Sequence, residues 1–107
     1  MTTDICEVIV TADNAEWLAG LTRELVEARL IACGQNISTI RSIYRWQGGV
    51  EDETEARVAF HTRVDLVPEV IERTKEKHSY DVPCIIVLPV IDGNPEYIDW
   101  VRSETQS

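Results

Sequence analysis

The eleven residues from His78 to Leu88 constrain this chain most, because an ionisable turn, His78-Ser79-Tyr80-Asp81-Val82-Pro83, runs straight into the apolar stretch Cys84-Ile85-Ile86-Val87-Leu88. Ile85 to Leu88 is apolar on both faces, the pattern of a strand packed on both sides. Upstream, Val67, Val70, Ile71 and Thr74 fall at helical spacing. Pro68 suits the first turn of that helix, Asp65 is placed to cap it, and Lys75 and Lys77 complement the negative end of its dipole. The joint therefore reads as helix, charged turn, buried strand, and any functional site is expected to touch it.

The preceding elements follow from the same periodicities. Ile5 to Thr11 is short and β-branched, as a first strand should be. Asp13 and Asn14 offer caps for a helix whose apolar stripe is Leu18, Leu21, Leu25 and Ala28, with Arg23, Glu24 and Glu27 opposite. Cys33-Gly34 ends that pattern. The residues to Trp46 carry Ile37, Ile40, Ile43, Tyr44 and Trp46 without a helical stripe and predict a long, bent second strand. Gln47-Gly48-Gly49 is a turn, and Ala56, Val58 and Phe60 then alternate with polar neighbours in a third strand. Glu51-Asp52-Glu53 reads as a solvated turn that limits pairing between sheet edges. After the fourth strand, Gly93-Asn94-Pro95 gives turn, cap and first residue of a short helix bearing Tyr97, Ile98, Trp100 and Val101.

The order is strand, helix, strand, strand, helix, strand, plus a terminal helix: an α+β, ferredoxin-like βαββαβ plan spanning residues 1–107 as one domain. Two helices cover one face of a four-stranded sheet, so the other face and the long hairpin carrying Tyr44 and Trp46 call for a partner, most economically another copy of the chain. Nineteen acidic against ten basic residues give a net charge of −9, which disfavours nucleic acid and anionic membrane surfaces and tolerates cations. No apolar segment reaches the roughly 20 residues of a membrane span. Three widely spaced cysteines, Cys6, Cys33 and Cys84, with no signal-peptide pattern at the amino terminus, suggest reduced thiols in the cytoplasm.

Four blocks together carry a family resemblance: Ala28-Arg29-Leu30-Ile31-Ala32-Cys33, Ser42-Ile43-Tyr44-Arg45-Trp46-Gln47-Gly48, His78 to Pro83, and Gly93-Asn94-Pro95-Glu96-Tyr97-Ile98-Asp99-Trp100. In this order and spacing they make the chain similar to the CutA family of divalent-cation tolerance proteins. The resemblance implies a ferredoxin-like protomer, an intertwined homotrimer, a cytoplasmic location, and an association with copper or another divalent cation. The chain differs from the family's usual pattern at several polar positions. Val10 stands where some members have a ligand cysteine, Lys77 where a histidine is a proposed ligand, and His61 where a lysine is common. Ser79 replaces a proline, Asp81 a glutamate and Cys84 an acidic residue.

Cys84, His78 and Asp81 are the candidate metal donors, a soft sulfur and an imidazole that would favour copper or zinc over magnesium. Against this stands a structural reading in which His78 caps a helix and Cys84 merely begins a buried strand. Cys6 and Cys33 are expected to be small packing residues, too far from Cys84 in the strand order to form a cluster with it. Tyr44, Trp46, His61, Tyr80 and Trp100 are candidates for lining a cleft or interface. No Ser-His-Asp order, phosphate loop or paired carboxylates indicates an enzyme. A second reading is a signalling or adaptor module similar in architecture to trimeric PII-type regulators, with Arg41, Arg45, Arg57 and Arg63 holding a small anion in clefts between subunits.

Overall fold

A computed structural model describes residues 3–106. Its elements are β1 (Ile5–Ala12), α1 (Ala15–Glu27), β2 (Cys33–Trp46), β3 (Gly49–Arg63), a 3₁₀ turn (Val64–Leu66), α2 (Val67–Lys77), β4 (Ile85–Pro89) and α3 (Pro95–Glu104). The strands form one antiparallel sheet in the order β2-β3-β1-β4, as the split βαβ plan requires.

Period two divides the sheet into two chemically different faces. Cys6, Val8, Val10 and Ala12 of β1 join Ala56, Val58 and Phe60 of β3 under Leu18, Leu21 and Leu25 of α1 and Val70 of α2. This is the main core. Among the described residues the opposite face is covered at one end, where Ile5 and Ala32 pack with Ile98 and Val101 of α3. Gly34 lets α1 approach β2 closely: a Cβ there would lie 2.4 Å from Thr22 Cγ2 and 3.1 Å from Phe60 Cδ1.

Local chemistry explains the boundaries. Asn14 caps α1 by accepting from Trp17 N–H, and Asn94 caps α3 by accepting from Glu96 N–H, with Pro95 in the first helical turn. Arg29, at φ 60°, reverses the chain after α1, and Leu30 N–H reaches back to the Leu25 carbonyl. Gln47 and Gly48, at φ 48° and 83°, form the tight turn between β2 and β3, the backbone that a two-residue hairpin favours.

Three expectations need correction. Asp65 does not cap α2; it accepts from Arg63, and the helix enters through the 3₁₀ turn instead. Glu51, Asp52 and Glu53 are not a turn but part of β3, where Asp52 pairs with Arg41 and Glu53 accepts from Tyr44 across the hairpin. Finally, β4 is not enclosed by its own chain: Ile86, Val87 and Leu88 are 51%, 37% and 43% exposed. Because β1 stops pairing with β3 at Ala12 opposite Ala56, the outer parts of β2 and β3 project as a two-stranded arm. An isolated two-stranded ribbon is marginal in water.

Candidate functional site

Where the arm leaves the sheet, the loop between α2 and β4 folds beside it and encloses a groove of about 610 Å³. Tyr44, Trp46 and Ser42 come from β2, Glu53 and Glu55 from β3, Thr11 and Asp13 from the end of β1, and Ser79, Tyr80, Asp81, Val82 and Cys84 from the loop. Two tyrosines hold two of its carboxylates in place. Tyr80 Oη donates to Glu55 Oε2 at 2.7 Å, and Tyr44 Oη donates to Glu53 Oε1 at 2.5 Å. The hydrogen bond to Glu53, with the neighbouring carboxylates, pushes the Tyr44 phenol up to about 12. Burial, then the bond to Glu55, raises the Tyr80 phenol as well. Both stay protonated donors, as a strongly negative pocket dictates.

His78 is adjacent to this groove but faces its scaffold. Its Nε2–H donates to the Thr11 carbonyl at 2.8 Å and its Nδ1 accepts from Tyr80 N–H at 3.1 Å. The ring also meets Trp17 edge-on at 5.0 Å and Tyr80 at 4.7 Å. Both nitrogens are therefore occupied, and the residue ties the loop to the end of β1. Asp81 and Cys84 do line the groove, with Cys84 exposed rather than buried at a strand start. Among the described residues no three His, Cys, Asp or Glu side chains gather closely enough to hold a metal ion. Of the positions where the sequence differs from the CutA pattern it resembles, Val10 is fully buried in the main core, and Lys77 is paired with Glu24 at 2.7 Å. Arg41 and Arg63 are paired to Asp52 and Asp65.

The remaining candidates lie elsewhere on the same face. Trp100 stacks at 5.6 Å on Tyr97 of α3, away from the groove. His61 is hydrogen-bonded within the sheet: its side chain is 13% exposed and bonded to Glu7 and Tyr97. Cys33, expected to be a packing residue, is partly exposed and in contact with both His61 and Tyr97. The three cysteines do stay apart. Cys6 lies opposite Thr62 and Pro89 at one end of β1, while Cys84 meets Thr11 at the other. The sequence marks Asp13 as a cap and Glu53 as part of a turn, and none of Glu53, Glu55 and Asp13 as a site residue. For Glu53 and Glu55, parity on β3 and distance from the turn are the available signals, and these become readable only with the strand register.

The family described as CutA1 divalent ion tolerance protein matches residues 6–104. The divalent-cation tolerance protein CutA of Thermus thermophilus is 40% identical over 98 residues, covering 92% of this chain and 95% of that one. Protein CutA of Mus musculus is 38% identical over 96% of this chain, which spans 58% of the mouse protein's length. In three dimensions CutA1 from Oryza sativa superposes with a TM-score of 0.94 at 33% identity, covering 99% of this chain and 97% of that one. With matching sequence over nearly its full length and the same arrangement of strands and helices, the chain belongs to the CutA1 divalent ion tolerance family.

Proposed function

We propose that this is a non-enzymatic, cytoplasmic divalent-cation tolerance protein that works as a homotrimer and takes copper or another divalent cation in the groove beside the arm. The single observation that carries this reading is the groove's charge. Asp13, Glu53, Glu55 and Asp81 line it together with the Cys84 thiol, and among the described residues no lysine, arginine or histidine does. Such a pocket attracts cations and repels anions. Asp81 and Cys84 are the donors on the loop between α2 and β4, the carboxylates of β3 line the same groove, and His78 positions that loop. Because the donors are not gathered within one chain, a bound ion draws them together or shares a neighbouring copy's groups.

Assembly is supported by what the chain leaves uncovered: Ile86 and Leu88 on edge strand β4, and Ile43, Trp46 and Val50 on the arm, are 42–66% exposed. Light scattering should give three times the 12.1 kDa chain mass at micromolar concentration. A compact single-chain species would remove the trimer. Calorimetry with copper(II) and zinc should show a saturable site weakened at least about tenfold by Cys84→Ser with Asp81→Asn. Unaltered heats would remove the groove from the account. The PII-like alternative predicts stabilisation by a small anion or nucleotide without metal. The groove's four carboxylates and the pairing of Arg41 and Arg63 weigh against it.

A further inference from the structure

A second cluster lies on the same sheet face as the groove but nearer α3. The register places Glu7 and Cys33 each opposite His61, so three adjacent strands carry Glu7, His61 and Cys33 in one row. Tyr97 closes the row from α3. His61 Nε2 lies 2.8 Å from Glu7 Oε2, while Nδ1 on the far side of the ring lies 2.5 Å from Tyr97 Oη and 3.6 Å from Cys33 Sγ. Tyr97 Oη is itself 3.2 Å from the sulfur. A thiol beside an imidazole, with that imidazole oriented by a carboxylate, is the arrangement that activates a sulfur nucleophile.

We propose that Cys33 is an activated nucleophilic thiol that undergoes thiol–disulfide exchange with small uncharged or cationic disulfides. The proton leaves Cys33 Sγ for Tyr97 Oη as the phenol proton passes to His61 Nδ1, giving a thiolate and an imidazolium. The thiolate attacks one sulfur of the disulfide, a new S–S bond to Cys33 forms, and the original S–S bond breaks. The departing thiolate takes a proton back through His61 and leaves as a neutral thiol, so the exchange is balanced and needs no further oxidant.

The groups facing the sulfur are consistent with this. Burial is the largest single influence and raises the Cys33 thiol, but the hydrogen bonds from His61 and Tyr97, together with the charge of His61, outweigh it and hold the thiol below its ordinary range. The bond to Cys33, opposed by burial and reinforced by Glu7, pushes His61 up to about 9. Burial and the neighbouring sulfur raise Tyr97, so the phenol remains a proton carrier. Cys6, in contrast, is buried and pushed up to about 11 by desolvation. The preference for uncharged or cationic partners follows from Glu7 at the site and from the net charge of −9.

The test uses the whole protein carrying Cys84→Ser, with neutral 4,4′-dithiodipyridine as probe and peptide mass mapping to locate the adduct. At pH 6.5 an unassisted thiol is about 1% thiolate. Native Cys33 should react at least about tenfold faster than the same cysteine in urea-unfolded protein. His61→Gln and Tyr97→Phe should each lower the native rate about tenfold and restore a steep rise of rate up to pH 8.5. Circular dichroism would confirm that both variants fold. A native rate no greater than the unfolded rate, or one unchanged by His61→Gln in the folded protein, overturns the proposal.

Discussion

Replacing His78 by alanine separates a scaffold role from a ligand role. The ring makes two hydrogen bonds, to the Thr11 carbonyl and from Tyr80 N–H, at 2.8 and 3.1 Å. Each contributes about 1 kcal/mol net. Its contacts with Trp17 and Tyr80, at 5.0 and 4.7 Å, add about 0.5–1 kcal/mol between them, the low end for aromatic pairs because the ring is partly solvated. The sum is about 2.5–3 kcal/mol. A further effect is local: without the ring, Tyr80 loses the N–H anchor that holds its hydroxyl on Glu55. Urea unfolding at fixed protein concentration should therefore show the midpoint falling with the slope unchanged. Metal heats at saturation should persist with only a modest rise in Kd. His78→Asn should recover part of the stability, since its amide can still donate toward Thr11. If His78→Ala left the unfolding midpoint within about 0.5 kcal/mol of wild type and abolished the metal heats, the scaffold assignment would be wrong.

Other expectations concern the core, the turn and the titrating cluster. Gly34→Ala should cost about 1–3 kcal/mol, because the new methyl meets Thr22 Cγ2 at 2.4 Å with Phe60 and Val58 close behind; an unchanged midpoint in urea would show that α1 shifts freely. Thr74→Val should stabilise by about 1 kcal/mol, since the hydroxyl is buried without a hydrogen-bond partner among the described residues; thermal unfolding is the readout, and a loss of stability would mean the hydroxyl is satisfied. The His61 ring, held protonated up to about 9, should titrate by NMR well above the ordinary histidine value near 6.5, and Cys33→Ser should bring it down. The linkage sign follows: this imidazolium contributes stability fully present below about pH 6.5 and lost as pH rises through 9. Cys33, depressed instead, contributes stability above the unfolded thiol's range and loses it as pH falls through its folded value. The pH dependence of His61→Gln relative to wild type reports both contributions together, because His61 is what lowers the Cys33 thiol, and identical profiles would refute them. Leu88→Lys on the exposed edge strand should shift the mass distribution toward single chains by light scattering; an intact assembly would place the interface elsewhere.

The order of elements was legible because each segment had its own signal. Leu18, Leu21 and Leu25 marked α1, Ala56, Val58 and Phe60 marked the core face of β3, and Asn94-Pro95 marked the entry to α3. Asp65 misled because aspartate beside a proline-led helix is a good cap by type, whereas Arg63 two residues earlier competes for the same carboxylate. Ile85 to Leu88 looked doubly buried because an apolar strand carries no mark of whether its cover comes from its own chain. At the site, Tyr80, Asp81, Cys84, Tyr44 and Trp46 were visible from the motif and the hairpin. Glu55 and Glu7 were not, since an isolated acidic residue in a strand reads as solvated until register sets it against Tyr80 or His61.

One sheet face thus holds two opposite solutions to the same electrostatic problem. Near the arm, the hydrogen-bond partners of Glu53 and Glu55 among the described side chains are neutral tyrosine hydroxyls, so their charge stays available to an external cation. Glu7 is instead compensated internally by His61, and the charge that reaches Cys33 is the imidazolium's. Glu7 and Thr11 lie four residues apart on one strand face, roughly 13 Å by strand rise, beyond a Debye length at physiological ionic strength. The two centres should accordingly respond independently: loading the groove with a divalent ion ought to leave the pH profile of Cys33 in place, and blocking Cys33 ought to leave the metal heats in place. Strong coupling between them would mean that the faces of neighbouring copies, rather than one chain's sheet, set the geometry of both.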